Sequence, residues 1–249
     1  MAMAHTMVVG DTHMHWPALL KVLYHFRPKT CIVAGDFGWW PGAWLQAEKE
    51  GKKEISIRYL LENCPEETEI RFIDGNHEDL PELFAFHRSM AKGAFEPVEI
   101  APRLWYQPRG STYTLADGRT VFFCGGGKSV DWTARKRGIS WFPEEIVYRK
   151  ELPEVLPKAD IVISHTIPSL SGVLETLKPL KEVCEWWDDT PDETCWTLDD
   201  VLQEIRPKLW IAAHLHLHRE LEQNGTKFVV LDMVNGRPRP WSDFTYILQ

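Results

Sequence analysis

Five short apolar runs in this chain stop at an aspartate, an asparagine or a histidine, and that recurrence constrains the fold more than any other feature. His5–Gly10 runs into Asp11-Thr12-His13, Thr30–Gly35 into Asp36, and Glu69–Asp74 into Gly75-Asn76-His77-Glu78. Asp160–Ser164 ends at His165, and Leu209–Ala213 ends at His214-Leu215-His216. Each run reads as a β-strand. In open α/β sheets, ligands sit in the crevice beyond the carboxyl ends of the strands, so residues far apart in sequence converge there. A single Gly-Asp is usually a turn, and a lone His-x-His pair is more often a surface feature. Five such ends in one chain point to a shared site.

The intervening pattern is mixed. Trp16–Phe26 carries apolar residues at helical spacing, with Pro17 where a first turn tolerates it, and Leu80–Met90 is similar. This β-α-β-α order predicts a largely parallel sheet at the start. Leu104–Tyr106, Ser111–Leu115 and Val121–Cys124 read as antiparallel strands, the last two joined by an Ala-Asp-Gly turn at 116–118. Phe228–Leu231 is a further strand and Leu198–Ile205 a helix. Residues 171–194 are the least regular stretch, and their acidic run Asp188-Asp189-Thr190-Pro191-Asp192-Glu193 reads as a solvated loop. With 44% apolar residues and no repeat, low-complexity tract or Pro/Ser-rich linker, the sequence predicts one α/β domain over 1–249.

Charge and cysteine usage narrow the function. Lys and Arg total 28 against 36 Asp and Glu, a net charge of −8, so the chain has no general attraction for nucleic-acid backbones. Cys31, Cys64, Cys124, Cys184 and Cys195 include no Cys-x-x-Cys pair and read as free thiols of a reducing compartment. Met1–Val9 lacks a basic region followed by a long apolar one, and no apolar run reaches the ~18 residues of a membrane span. The expected location is the cytoplasm, with no membrane partner.

Carboxylate, amide oxygen and imidazole form a donor set suited to Mn²⁺, Fe, Zn²⁺ or Ni²⁺, without the thiolates of a structural zinc site. His5, His15, His25, His87 and His218 stand apart from the run ends and read as non-ligands. Gly127-Lys128-Ser129 is not a P-loop, because Phe122 stands where the first glycine is required. No Gly-x-Gly-x-x-Gly follows the first strand, and no Gly-x-Ser-x-Gly elbow is present.

The ordered set Asp-x-His, Gly-Asp, Gly-Asn-His-Glu, His and Ala-His-x-His, from Asp11 to His216, resembles the calcineurin-like metallophosphoesterase superfamily. The one departure is Ala213, where the superfamily has glycine; it removes no ligand. The resemblance implies a central mixed β-sandwich flanked by helices in four layers, and two divalent transition-metal ions. One ion would take Asp11, His13 and His216, the other Asn76, His165 and His214, with Asp36 bridging them. His77 would stand beside the phosphate without ligating metal, its ring oriented by Glu78 or Asp74. A second stretch, Gly125-Gly126-Gly127-Lys128-Ser129-Val130-Asp131 with Arg135 and Glu144-Glu145, resembles a subgroup of phages and bacteria. It is either a glycine-rich loop packed on the sheet or a loop over the site, with Arg135, Lys136 or Arg137 meeting phosphate.

The function implied by the resemblance is hydrolysis of a phosphodiester by hydroxide held between two cations, Mn²⁺ first among them, with Asp36 and His77 as the catalytic residues. The second motif, Gly35-Asp36-Phe37-Gly38-Trp39-Trp40-Pro41, lacks the arginine of the protein phosphatases. A small nucleotide diester or cyclic nucleotide is the expected substrate, Trp39 and Trp40 either stacking a base or packing at the rim. Phosphomonoesterase, protein phosphatase and nuclease activities on the same dinuclear site are the alternatives. An inactive scaffold is disfavoured because the ligand set is whole.

Overall fold

Side chains along the central strands alternate between two different apolar layers, which is why these strands read as unbroken apolar runs rather than as amphipathic ones. The computed structural model describes residues 5–179, 182, 184, 185, 187, 188 and 190–248. Its strands are β1 (Thr6–Val9), β2 (Thr30–Val33), β3 (Glu69–Phe72), β4 (Val98–Ala101), β5 (Leu104–Tyr106), β6 (Thr112–Thr114), β7 (Thr120–Cys124), β8 (Ile161–Ser164), β9 (Leu209–Ala212), β10 (Arg219–Gln223), β11 (Thr226–Val230) and β12 (Thr245–Leu248). They form two six-stranded sheets, ordered β12-β1-β2-β3-β5-β4 and β10-β11-β9-β8-β7-β6. In each sheet the four inner strands pair in parallel and the two outermost pairings are antiparallel.

Val8, Ile32, Phe123, Ile163, Ile211 and Val229 meet between the sheets. Met7, Val9, Cys31 and Val33 face the other way, onto α1 (Trp16–Phe26), α2 (Pro41–Lys49), α3 (Ile57–Asn63) and α4 (Leu80–Met90), through Leu19, Trp44, Leu60 and Leu83. Phe122, Val162, Trp210 and Phe228 face α5 (Glu193–Ile205) through Leu198 and Val201. The result is the four-layer α/β sandwich that the resemblance implied. Phe123 is fully buried in the middle layer. Phe123→Ala should destabilise the protein by about 3–5 kcal/mol in chemical denaturation. A loss below about 1 kcal/mol would mean that the sheets do not close on this ring.

Two expectations need correction. Leu104–Tyr106 is not antiparallel to the following strands: β5 pairs in parallel with β3 in the first sheet, and only β6 and β7 form the expected hairpin. The chain changes sheets within a few residues. The Gln107 N–H still bonds Phe72 O, whereas Gly110, at φ +87°, bonds Phe123 O in the other sheet. Pro108 lies between them and has no N–H to extend either ladder. Secondly, α5 starts at Glu193, not Leu198, because the Asp192 carboxylate caps it by accepting from Thr194 N at 2.8 Å. The acidic run is therefore engaged rather than merely solvated. Asp188 accepts from Lys128 Nζ at 2.7 Å and from Trp132 Nε1 at 2.5 Å, and Asp192 accepts from Lys128 N at 2.9 Å. Asp189 and residues 1–4, the first part of the Met1–Val9 segment, lie outside the described residues. All five cysteines are free thiols. No helix among the described residues is long and apolar enough to cross a membrane.

Candidate metal centre

Because the inner strands of each sheet run parallel, Asp11, Asp36 and Asn76 leave the ends of β1, β2 and β3, and His165 and His214 those of β8 and β9. The loops that carry them are bent hard. His13, Asp36, His214 and His216 have φ of +44°, +45°, +65° and +50°, a region that side chains with a Cβ rarely adopt. Such strain persists where the surroundings over-determine it, and it clusters at functional sites. Glycine is required at two points around Asp36. A Cβ on Gly75 would lie 2.1 Å from Asp36 Oδ1, and one on Gly35 would lie 2.2 Å from His165 Nδ1. Ala213 bears its methyl without conflict, buried between the sheets, and its N–H bonds His165 O at 2.8 Å.

The donor atoms fall into two groups. In the first, Asp11 Oδ2 lies 3.0 Å from His216 Nε2, His13 Nε2 lies 3.1 Å from His216 Nε2, and Asp36 Oδ2 lies 3.6 Å from His13 Nε2. All four residues offer a ligand atom within 4.8 Å of the others. In the second, His165 Nε2 lies 2.9 Å from Asn76 Oδ1, 3.1 Å from His214 Nδ1 and 3.4 Å from Asp36 Oδ1. Asp36 thus turns one oxygen to each group. Ligand atoms roughly 3–3.5 Å apart are what metal–ligand bonds of about 2.1 Å produce.

The chemistry of this cluster fits a cation. Asp36 Oδ2 is buried and has no hydrogen-bond partner in the protein, an arrangement that costs free energy unless an ion or water completes it. His165 Nδ1 sits 2.9 Å from Ala34 O, so that nitrogen carries the proton and Nε2 turns a lone pair to the cluster. Burial pushes the Asp36 carboxyl up, but His165, His77, His13 and His214 around it prevail and hold it well below the usual carboxylate range. Burial likewise opposes ionisation of Asp11, and the His216 hydrogen bond with the nearby His165 lowers it nevertheless.

His77 stands between this cluster and an arginine. Its N–H donates to Asp36 Oδ1 at 2.8 Å, and its Nε2 accepts from Arg135 Nη2 at 2.8 Å. Burial pushes its ring down to about 4, against the pull of Asp36 and with help from His13 and Arg135. Neither Glu78 nor Asp74 orients this ring, contrary to expectation. The Glu78 oxygens accept from Gly38 N and Gly75 N, and Asp74 is taken by Tyr106 Oη and Arg109 Nε. Both acids lie wholly buried, and two backbone N–H groups outcompete a ring for Glu78.

A cavity of about 730 Å³ opens over Asp36, Asn76, His77, His214 and His216. Val130, Leu177, Trp187, Leu215 and Leu217 give it an apolar wall, and Arg135, Lys178 and Arg219 also line it. Of the three basic residues suggested by the sequence, Arg135 reaches the site. Lys136 and Arg137 are exposed, with Arg137 over the Trp141 ring at 5.8 Å. Trp39 is buried against Trp44 and Phe86, and Trp40 donates to His77 O at 2.7 Å, so packing rather than base stacking occupies both. Sequence reasoning missed Trp187, in the irregular stretch, and the contact of Ser129 with Asn76. His5, His15, His25, His87 and His218 lie outside the two donor groups; His87 Nε2, for one, faces Glu96 O at 2.9 Å.

No curated protein matches the chain. Among solved structures, an archaeal phosphodiesterase aligns with a TM-score of 0.43 at 12% identity, over 98% of this chain and 98% of that one. The phosphopantetheinyl hydrolase of Mycobacterium tuberculosis gives 0.45 at 13%, over 97% and 95%. An anchor protein of the Plasmodium inner membrane complex gives 0.48 at 14%, over 91% and 70%. The family model of calcineurin-like phosphoesterases matches residues 4–218, a span that takes in all five strand ends and both donor groups, and the chain therefore belongs to the calcineurin-like phosphoesterase family.

Proposed function

We propose that the protein is a dinuclear phosphodiesterase of the cytoplasm that hydrolyses a small nucleotide diester. In this reading Asp11, His13 and His216 hold one divalent cation, Asn76, His165 and His214 hold the other, and Asp36 serves both. The observation that carries it is the Asp36 carboxylate, which turns one oxygen to each donor group and leaves Oδ2 without a protein partner. When bound, such cations supply Lewis-acid pull on a phosphoryl oxygen and lower the pKa of water. The oxygen–nitrogen donor set supports Mn²⁺, with Fe, Zn²⁺ or Ni²⁺ as alternatives.

The protein's own groups do the rest. Arg135 Nη2, beside His77 Nε2, is placed to donate to a non-bridging phosphoryl oxygen. His77 Nε2 is then released from Arg135. A proton taken up there from solvent, against the burial that holds the ring down to about 4 in the free protein, is what it would pass to the leaving oxygen. The apolar wall around Trp187 supports an organic leaving group, and a base would meet this ring rather than Trp39 or Trp40. The five free thiols support a reducing compartment.

A monoesterase is the second reading, because Lys178 and Arg219 join Arg135 around the cavity and could grip a dianion. Protein loaded with Mn²⁺ should turn over bis(p-nitrophenyl) phosphate faster than p-nitrophenyl phosphate, and a chelator should abolish both. The reverse order would favour the monoesterase, and no turnover with any metal would leave a metal-binding scaffold.

A further inference from the structure

A side-chain amide has an acceptor oxygen on one side and two N–H donors on the other, and only the oxygen can ligate a cation. Asn76 therefore needs something to hold it the right way round. Its Nδ2 donates to Ser129 Oγ at 3.0 Å, which leaves Oδ1 facing His165 Nε2. The Ser129 hydroxyl is committed in turn. Ser129 is 0% exposed, its N–H donates to Glu145 Oε2 at 3.1 Å, and its hydroxyl acts on the same carboxyl, lowering it against the push of burial. When Glu145 is ionised it only accepts, so the hydroxyl proton then turns to it and a lone pair is left for Asn76.

Glu145 is itself fixed. It is 1% exposed, and its Oε1 accepts from Phe142 N. Arg109 donates to Glu144 O and Ile146 O on either side of it, and pairs with Asp74 at 2.9 Å, two residues before Asn76. The glycine stretch closes the same seam, with Gly126 N bonded to Asp74 O and Gly127 N to Glu145 O. The segment carrying Glu145 and the loop carrying Asn76 are thus fastened to each other, and nothing in the donor groups themselves requires this arrangement.

We propose that Ser129 and Glu145 are positioning residues that fix the polarity of the Asn76 amide, so that its carbonyl oxygen rather than its NH₂ faces the second cation. The inference rests on the metal-centre assignment above. It also gives the Gly125–Glu145 stretch a task at the site, distinct from the phosphate contact of Arg135.

The test is calorimetric titration of Mn²⁺ into the chelator-stripped protein. It is run at pH 8.5, because burial pushes the Glu145 carboxyl up to about 7. Ser129→Ala should weaken one class of site about 10–100-fold, the range for partners that orient a ligand, and leave the other class and the unfolding temperature near wild type. Glu145→Gln should weaken the same class, since its amide can donate to Ser129 and reverse the polarity. An aspartate has no wrong way round, so in an Asn76→Asp background Ser129→Ala should cost far less. An equal cost in both backgrounds would reduce Ser129 to packing and overturn the proposal. If Asn76→Ala empties a site while Ser129→Ala and Glu145→Gln leave both classes at wild-type affinity, the orientation claim fails and the metal-centre reading stands. If Asn76→Ala alters neither class, the metal-centre reading fails and takes this inference with it.

Discussion

Asp36→Asn should abolish most turnover and cost clearly more than Asp11→Asn. The reason is geometric: among the described residues, Asp36 is the carboxylate that faces a ligand nitrogen of each donor group, at 3.6 Å from His13 Nε2 and 3.4 Å from His165 Nε2. Asp11, by contrast, approaches His165 at Nδ1, the nitrogen turned to Ala34 O. A neutral amide keeps one oxygen and turns an NH₂ to the other group, so one cation loses a ligand and meets a donor instead. Lewis-acid stabilisation is worth several kcal/mol, which corresponds to roughly 10³-fold in rate. The check is kcat/KM on a chromogenic diester together with elemental analysis of the purified variants. Small and equal losses for Asp36→Asn and Asp11→Asn would show that Asp36 is not shared.

The second large effect separates two adjacent residues. Asn76→Ala should reduce occupancy of one cation site, whereas His77→Ala should leave both filled and lower kcat by about 10²–10⁴-fold, the usual worth of general acid–base help. Truncation at 77 spares the backbone N–H that holds Asp36 Oδ1, so a loss of metal could not be blamed on that bond. With nitrophenolate as leaving group the penalty should shrink, because little protonation is needed. The structure adds a competing outcome: Arg135 already donates to His77 Nε2. If the two act together on the phosphoryl oxygens, the loss will ignore leaving-group pKa, and Arg135→Ala will reproduce much of it. Loss of metal in His77→Ala would instead make the ring a ligand.

What was legible in the sequence follows from what each residue must satisfy locally. Strand ends such as Gly35-Asp36 and Gly75-Asn76 announce themselves, because the glycine is demanded by the close approach of the next loop and the polar residue breaks an apolar run. The inner strands of both sheets were legible as short unbroken apolar runs, but the parallel order only for β1 to β3, where helices separate them. Edge strands were not. β10, Arg-Glu-Leu-Glu-Gln, is largely exposed and owes its extended form to pairing with β11, which leaves no hydrophobic period to read. Nor does anything local mark β5 as parallel, since its partner β3 lies more than thirty residues away. Trp39 and Trp40 left two readings open, packing and stacking, for a different reason. Aromatic rings beside a ligand suit a base equally well, and only tertiary packing shows that Phe86, Trp44 and the His77 carbonyl have claimed them. Ser129 was invisible as a partner of Asn76 because the contact spans 53 positions.

The division of labour between the two sheets has a mechanical consequence. Asp11, His13, Asp36 and Asn76 come from one sheet, and His165, His214 and His216 from the other, so neither layer owns a complete set of donors. Cations bound there would rivet the layers together at one rim of the sandwich. Sliding one sheet past the other by a single residue, about 3.3 Å, would pull every set apart at once. Stripping the metal would therefore loosen a seam of the scaffold as well as silence its chemistry, and the slackening would start at that rim.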